Sequence, residues 1–137
     1  MIKFLMLVAS LFHYTPARNL HDNVHYWQRM LNLQSWQVSV ERVRAMELDR
    51  ETLGDIDVCV ERKTARIRLL REQDYDLPLW RARADQMLTL AHEMVHLKRL
   101  VAARGERWDD ERTTDDETLT LLRRLHRWPE LMAVEKP

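Results

Sequence analysis

Glycine is nearly absent from this chain. Two occur in 137 residues, at positions 54 and 105. Loops that cradle phosphate with glycine backbone therefore have no place to form, and no Gly-rich nucleotide motif is present. The single cysteine excludes an internal disulfide. Cys59 falls in an apolar alternation and reads as a strand residue rather than a nucleophile or ligand. Neither sign of charge is in excess: Lys+Arg number 22 and Asp+Glu 22, for a formal net charge of +0. That balance removes the simplest electrostatic case for binding nucleic acid or an anionic membrane. Internal repeats, low-complexity tracts and domain linkers are also missing.

Long apolar runs are missing too. The run from Phe4 to Phe12 is broken by Ser10 and is too short to span a bilayer as a helix. It reads as a short signal peptide with Thr15-Pro16-Ala17 as a weak cleavage site. A buried first strand or helix, or an over-long translation start, reads equally from the same residues. Residues 1–17 are therefore set apart as an apolar extension, and 18–137 as one domain. A cytoplasmic protein is expected, with an exported form if the run is a signal. With hydrophobic residues at 45%, a chain of this length can fold around one modest core.

The pattern predicts a helix, three strands, a long helix and a last helix. Arg18 to Leu33 has Leu20, Val24, Trp27, Met30 and Leu31 at helical spacing. His21 and His25 lie four apart on it, with no carboxylate between them, and read as a solvated pair. Ser35 to Val43 alternates as a half-buried strand. Gly54-Asp55 reads as a turn, followed by a strand through Ile56, Val58 and Val60. Glu61-Arg62-Lys63 is a charged turn into a third strand, Thr64 to Leu70, and so short a connection favours an antiparallel hairpin. Glu106 to Asp116 reads as a polar surface loop, and Asp115 to Arg127 as the last helix. Pro129 is expected to end that helix, leaving Glu130 to Pro137 as a loosely held tail. The expected fold is α+β, with a mainly antiparallel three-stranded sheet packed on the long helix.

The long helix carries the chemistry. From Trp80 to Arg104 it contains no Gly and no Pro; Pro78 suits its first turn and Gly105 the position past its end. Within it stands His92-Glu93-Met94-Val95-His96, which reads as H-E-x-x-H. Side chains four apart share a helix face, so both imidazoles can reach one metal ion. Leu88, His92, His96 and Leu100 form one ridge, which places the histidines in an apolar row facing inward. Glu93 points beside the ligand pair, where it can take a proton from a water. Two histidines at this spacing can also be mere core residues with hydrogen-bonded rings.

This helix resembles the active-site helix of zincin metallopeptidases. The short chain and the elements ahead of it resemble the small single-domain members, the minimal gluzincins and the SprT-like and phage-encoded metallopeptidases. The resemblance covers roughly Leu20 to Arg127, but only the five-residue motif is specific. It implies a zinc-dependent hydrolase of peptide bonds, acting on a peptide or protein substrate with Zn2+ as cofactor; a monomer is expected. It also implies that the strand before the helix, Ile67 to Arg71, is an edge that pairs with extended substrate. Arg66 and Arg68 would then favour acidic side chains, or would only deter aggregation at the edge.

A third zinc ligand is required. The metzincin continuation fails, since Arg99 and Ala102 stand where Gly and His are needed. A gluzincin takes a Glu from the next helix, and Glu117 is chosen on that ground. Thr114-x-x-Glu117 is equally a capping box, and Leu121 stands where an outer-shell Asp is often found. Glu111, followed by Asp115 four residues on, is the second candidate, Asp116 a further one, and His126 the least favoured. The competing function is a binding module without catalysis, holding a partner by its sheet edge or by the basic Arg123-Arg124-Arg127 face.

Overall fold

The computed structural model describes residues 20–103 and 110–134. Helix α1 spans Leu20–Met30, and strands β1, β2 and β3 span Gln37–Val43, Gly54–Cys59 and Thr64–Leu70. Helices α2, α3 and α4 span Leu79–Ala103, Glu111–Arg124 and Trp128–Val134. The architecture is the expected α+β one. No helix among the described residues is long and apolar enough to cross a membrane. Residues 1–19, 104–109 and 135–137 lie outside the described residues, and with them the apolar extension, Gly105 and the first part of the acidic stretch.

Past the end of α1 at Met30, Asn32 takes a positive φ of 61° and closes a paired turn. Asn32 N–H donates to Arg29 O at 3.4 Å and Leu33 N–H to Gln28 O at 2.7 Å, the left-handed stop that Asn tolerates. The Gln28 side chain then fastens the next turn, its Nε2 donating to Leu33 O and Trp36 O. This delivers β1 alongside the sheet.

The sheet is mixed, in the order β1-β3-β2. β2 and β3 form the antiparallel hairpin, while β1 runs parallel to β3. β3 is therefore central, which corrects its expected place at the edge: both of its sides are already hydrogen-bonded, so no substrate strand can pair there. The arginines on its outer face are engaged as well. Arg66 Nε donates to Glu41 at 2.9 Å, and Arg68 Nε to Asp55 at 2.9 Å. They form a cross-strand charge ladder rather than a free acidic-substrate site. Among the described residues the edge beside the long helix is β2.

Gly54 is not a turn residue but the first residue of β2. The turn lies just before it, where Thr52 N–H donates to Asp49 O and Glu51 takes a φ of 65°. Glycine is needed at 54 for a close approach: a Cβ would stand 2.7 Å from Thr89 Cγ2 on α2 and 2.9 Å from Arg68 O. The sheet edge thus lies directly against the helix that carries the histidines.

The inner sheet face, through Ala65, Ile67 and Leu69, packs on Met87, Leu90, Met94 and Leu97 of α2, with Trp27, Leu33 and Leu122 closing the core. Each buried Leu, Ile or Met among them contributes about 1.5–3 kcal/mol by leaving water.

Helix α3 begins earlier than the polarity of 106–116 suggests, and it ends earlier too. His126 takes a φ of 54°, and Arg127 N–H returns to Leu122 O at 2.9 Å. Pro129 thus does not stop a helix; it sits in the first turn of α4, where its missing N–H costs nothing. The expected loose tail is instead anchored through residue 134, with Glu130, Leu131 and Ala133 buried. Arg127 leaves the expected basic face to hold this helix. Its guanidinium bonds Glu130 Oε1 at 2.6 Å and Asn23 Oδ1 at 3.3 Å, and lies 4.5 Å from the Tyr26 ring centre.

Candidate metal centre

His92 and His96 lie one turn apart on α2, their rings edge-to-face with centres 4.5 Å apart. The first residue of α3 meets them. Glu111 Oε2 is 3.0 Å from His92 Nε2, and Glu111 Oε1 is 2.8 Å from His96 Nε2. These three side chains form a group whose ligand atoms all lie within 4.8 Å of one another. Ligand atoms about 2.0–2.1 Å from one tetrahedral zinc stand about 3.3 Å apart, so the cluster has the right size for an ion.

The other ring nitrogens are held from behind. His92 Nδ1 is 2.9 Å from Asp115 Oδ1, and His96 Nδ1 is 3.3 Å from Thr114 Oγ1. Both partners belong to the same stretch of α3 as Glu111, because 111, 114 and 115 share one face of a helix. A neutral imidazole carries one proton, yet both nitrogens of His92 face carboxylates. One proton serves one of them; the other contact sets lone pair against lone pair unless a cation lies between. Protonating the ring is disfavoured, because burial and the neighbouring His96 hold the His92 pKa below its usual value despite Glu111 and Asp115. The donor set is therefore one that a divalent cation suits.

Glu93 is 6% exposed, and among the described residues no donor reaches its carboxylate. Burial, reinforced by the charges of Glu111 and Asp55, pushes its pKa up to about 8. A cation beside Glu111 would offset that repulsion. Glu93, His92, Glu111 and Asp115 open onto a cleft of about 810 Å³, walled by Leu53 and Gly54 at the β2 end, Leu88 and Thr89 on α2, and Leu119 on α3. Tyr75 is not in that wall. It packs on Val43, Leu48 and Leu70, and burial raises its hydroxyl pKa.

Glu117 is not brought to the histidines. Six residues past Glu111, it is turned about 120° away around the helix, where it pairs with Lys98. The carboxylate that the fold brings to the two histidines is Glu111, not the expected Glu117. The polar composition of 106–116 hid the start of α3: Asp110 precedes the helix, and Thr113 Oγ1 donates to its Oδ2 at 2.7 Å. An Asp followed by Glu at the first helical position is a start signal in its own right. Read that way, Glu111 and Asp115 fall one turn apart on one face. Thr114 had no signal of its own beyond that register. Asp116, five residues past Glu111, is turned about 140° away from it around the helix and is exposed, as is His126 at the helix stop.

Comparison with protein-family models, with curated proteins and with solved structures finds no match.

Proposed function

We propose that this chain is a zinc-dependent metallopeptidase, with His92, His96 and Glu111 as the protein ligands and Glu93 as the general base. The observation that carries the reading is the convergence of both Nε2 atoms on the two oxygens of Glu111, with Glu93 in the wall of the same cleft. Zinc in such a site lowers the pKa of a water to about 7 and polarises a carbonyl. Glu93, buried and without a donor among the described residues, accepts the water's proton and returns it to the leaving amine. Asp115, 2.9 Å from His92 Nδ1, holds that imidazole with Nε2 forward. The cleft, bounded by the start of β2, α2 and α3, leaves His92, Glu111 and Glu93 open to a peptide.

The test is metal content together with cleavage of an unfolded protein. Wild type should carry one zinc and cleave; H92A and H96A should carry none. E93Q should keep zinc and lose hydrolysis by about 10²–10⁴-fold, the usual worth of a positioned base. Cleavage by E93Q at the wild-type rate removes the role given to Glu93. Zinc binding without any cleavage by wild type favours the binding-module reading instead.

A further inference from the structure

We propose that Thr114 is a positioning residue that fixes the tautomer of His96, so that its Nε2 lone pair is presented to the metal. The inference rests on the metal-site reading above but concerns an atom that reading does not require. Thr114 is fully buried, at 0% exposure. Its Oγ1 lies 2.7 Å from Asp110 O, and a carbonyl can only accept, so the single hydroxyl proton is committed there. The remaining lone pairs face Arg99 Nη1 at 3.3 Å and His96 Nδ1 at 3.3 Å. Guanidinium is a donor only, which is consistent with an oxygen acting purely as acceptor. His96 can bond this oxygen only if Nδ1 carries the proton. Nε2 is then bare, and it is the nitrogen 2.8 Å from Glu111 Oε1.

The two histidines are thus oriented by different chemistry. His92 has an exposed carboxylate behind it, Asp115, with a side chain 63% exposed. His96, 4% exposed, has a neutral hydroxyl whose direction is set by a backbone carbonyl. A carboxylate at 114 would put a further charge into a fully buried position, next to a ligand Glu; the hydroxyl supplies the acceptor without that cost.

The test is zinc affinity, measured by competition with a chromogenic chelator, alongside thermal melting of the metal-free protein. T114A removes the acceptor while keeping a strong helix former; T114S keeps the acceptor. T114A should bind zinc about 10–100-fold more weakly than wild type, the usual effect of losing a hydrogen bond behind a ligand. T114S should bind within about threefold of wild type by the same argument. Wild-type affinity in T114A overturns the proposal. So does equal weakening in T114A and T114S, which would mark a packing role. If wild type itself binds no zinc through His92 and His96, the metal-site reading fails instead. A melting temperature lowered equally in both variants, with affinity unchanged, also overturns the positioning role.

Discussion

Asp115 and Glu111 grip His92 from opposite sides of its ring: Asp115 Oδ1 stands 2.9 Å from Nδ1 and Glu111 Oε2 3.0 Å from Nε2. On the proposed metal-site reading, one turn of α3 thus supplies both a ligand and the group that orients another. D115A should weaken zinc binding by about 10–100-fold while leaving the three ligands in place. D115N, which keeps an acceptor oxygen but no charge, should fall between D115A and wild type. A chelator competition giving all three proteins one affinity would reject the orienting role.

Glu111 and Glu117 make opposite predictions. E111Q removes the charged oxygens facing both imidazoles, and the purified protein should lose most of its zinc. E117Q should retain full zinc content. Its pairing with Lys98 is part-exposed, so loss of that pair should cost about 0–1 kcal/mol in urea denaturation. Metal analysis of the two variants side by side decides the third ligand, and zinc lost from E117Q alone would restore the assignment made from spacing.

Much of the architecture was legible because it follows from period. The third strand has the expected bounds, Thr64–Leu70, and keeps its alternation as far as Leu69, and the long helix begins where Pro78 places it. His92 and His96 needed only the helical repeat. The rest turned on boundaries that composition disguises. Glu111 lies in a strongly acidic stretch that reads as solvent-facing loop, yet the same acidity suits the positive end of a helix. Pro129 signals a stop in one register and a first turn in the next, and only the left-handed His126 decides between them. The order of the strands was not legible at all. A hairpin fixes β2 beside β3, but whether β1 joins at the free side of β3 depends on where α1 delivers it, which is a packing matter. That single placement turns β3 from an edge into the centre and moves the open edge to β2.

Arg127 and Glu130 lock α4 to the body of the fold. Glu130 is 0% exposed, and burial raises its pKa although Arg127 opposes the shift. Removing the arginine would leave the Glu130 carboxylate buried without the cation it pairs with. R127A should destabilise the protein by about 3–5 kcal/mol, as breaking one side of a buried pair does. R127A/E130Q should recover part of that loss, because the orphaned charge goes too. Equilibrium urea denaturation measures both. A cost within the range of an exposed pair, under about 1 kcal/mol, would show that α4 is held by its apolar contacts alone.

Asp74 gives the protein a pH-dependent contact in the segment that leads into α2. Its Oδ2 lies 3.0 Å from Arg71 Nε and accepts from Ala45 N–H at 2.8 Å, tying the connection after β1 to the one after β3. The Arg71 side chain first, then the Ala45 N–H, hold its carboxyl below the usual value of 3.8. A carboxyl depressed in the folded state stabilises that state at every pH above the unfolded value. The contribution fades as pH falls through the folded value, where both states become protonated. D74A should therefore melt below wild type at about pH 7, and the gap should narrow as pH falls below the usual carboxyl value of 3.8. D74N keeps an acceptor for Ala45 but loses the charge facing Arg71, so its gap should be smaller and should narrow over the same range. Thermal melts of the three proteins across that range check the sign. A gap that stays constant with pH would mean that Asp74 acts through packing or backbone preference, with no part played by its ionisation.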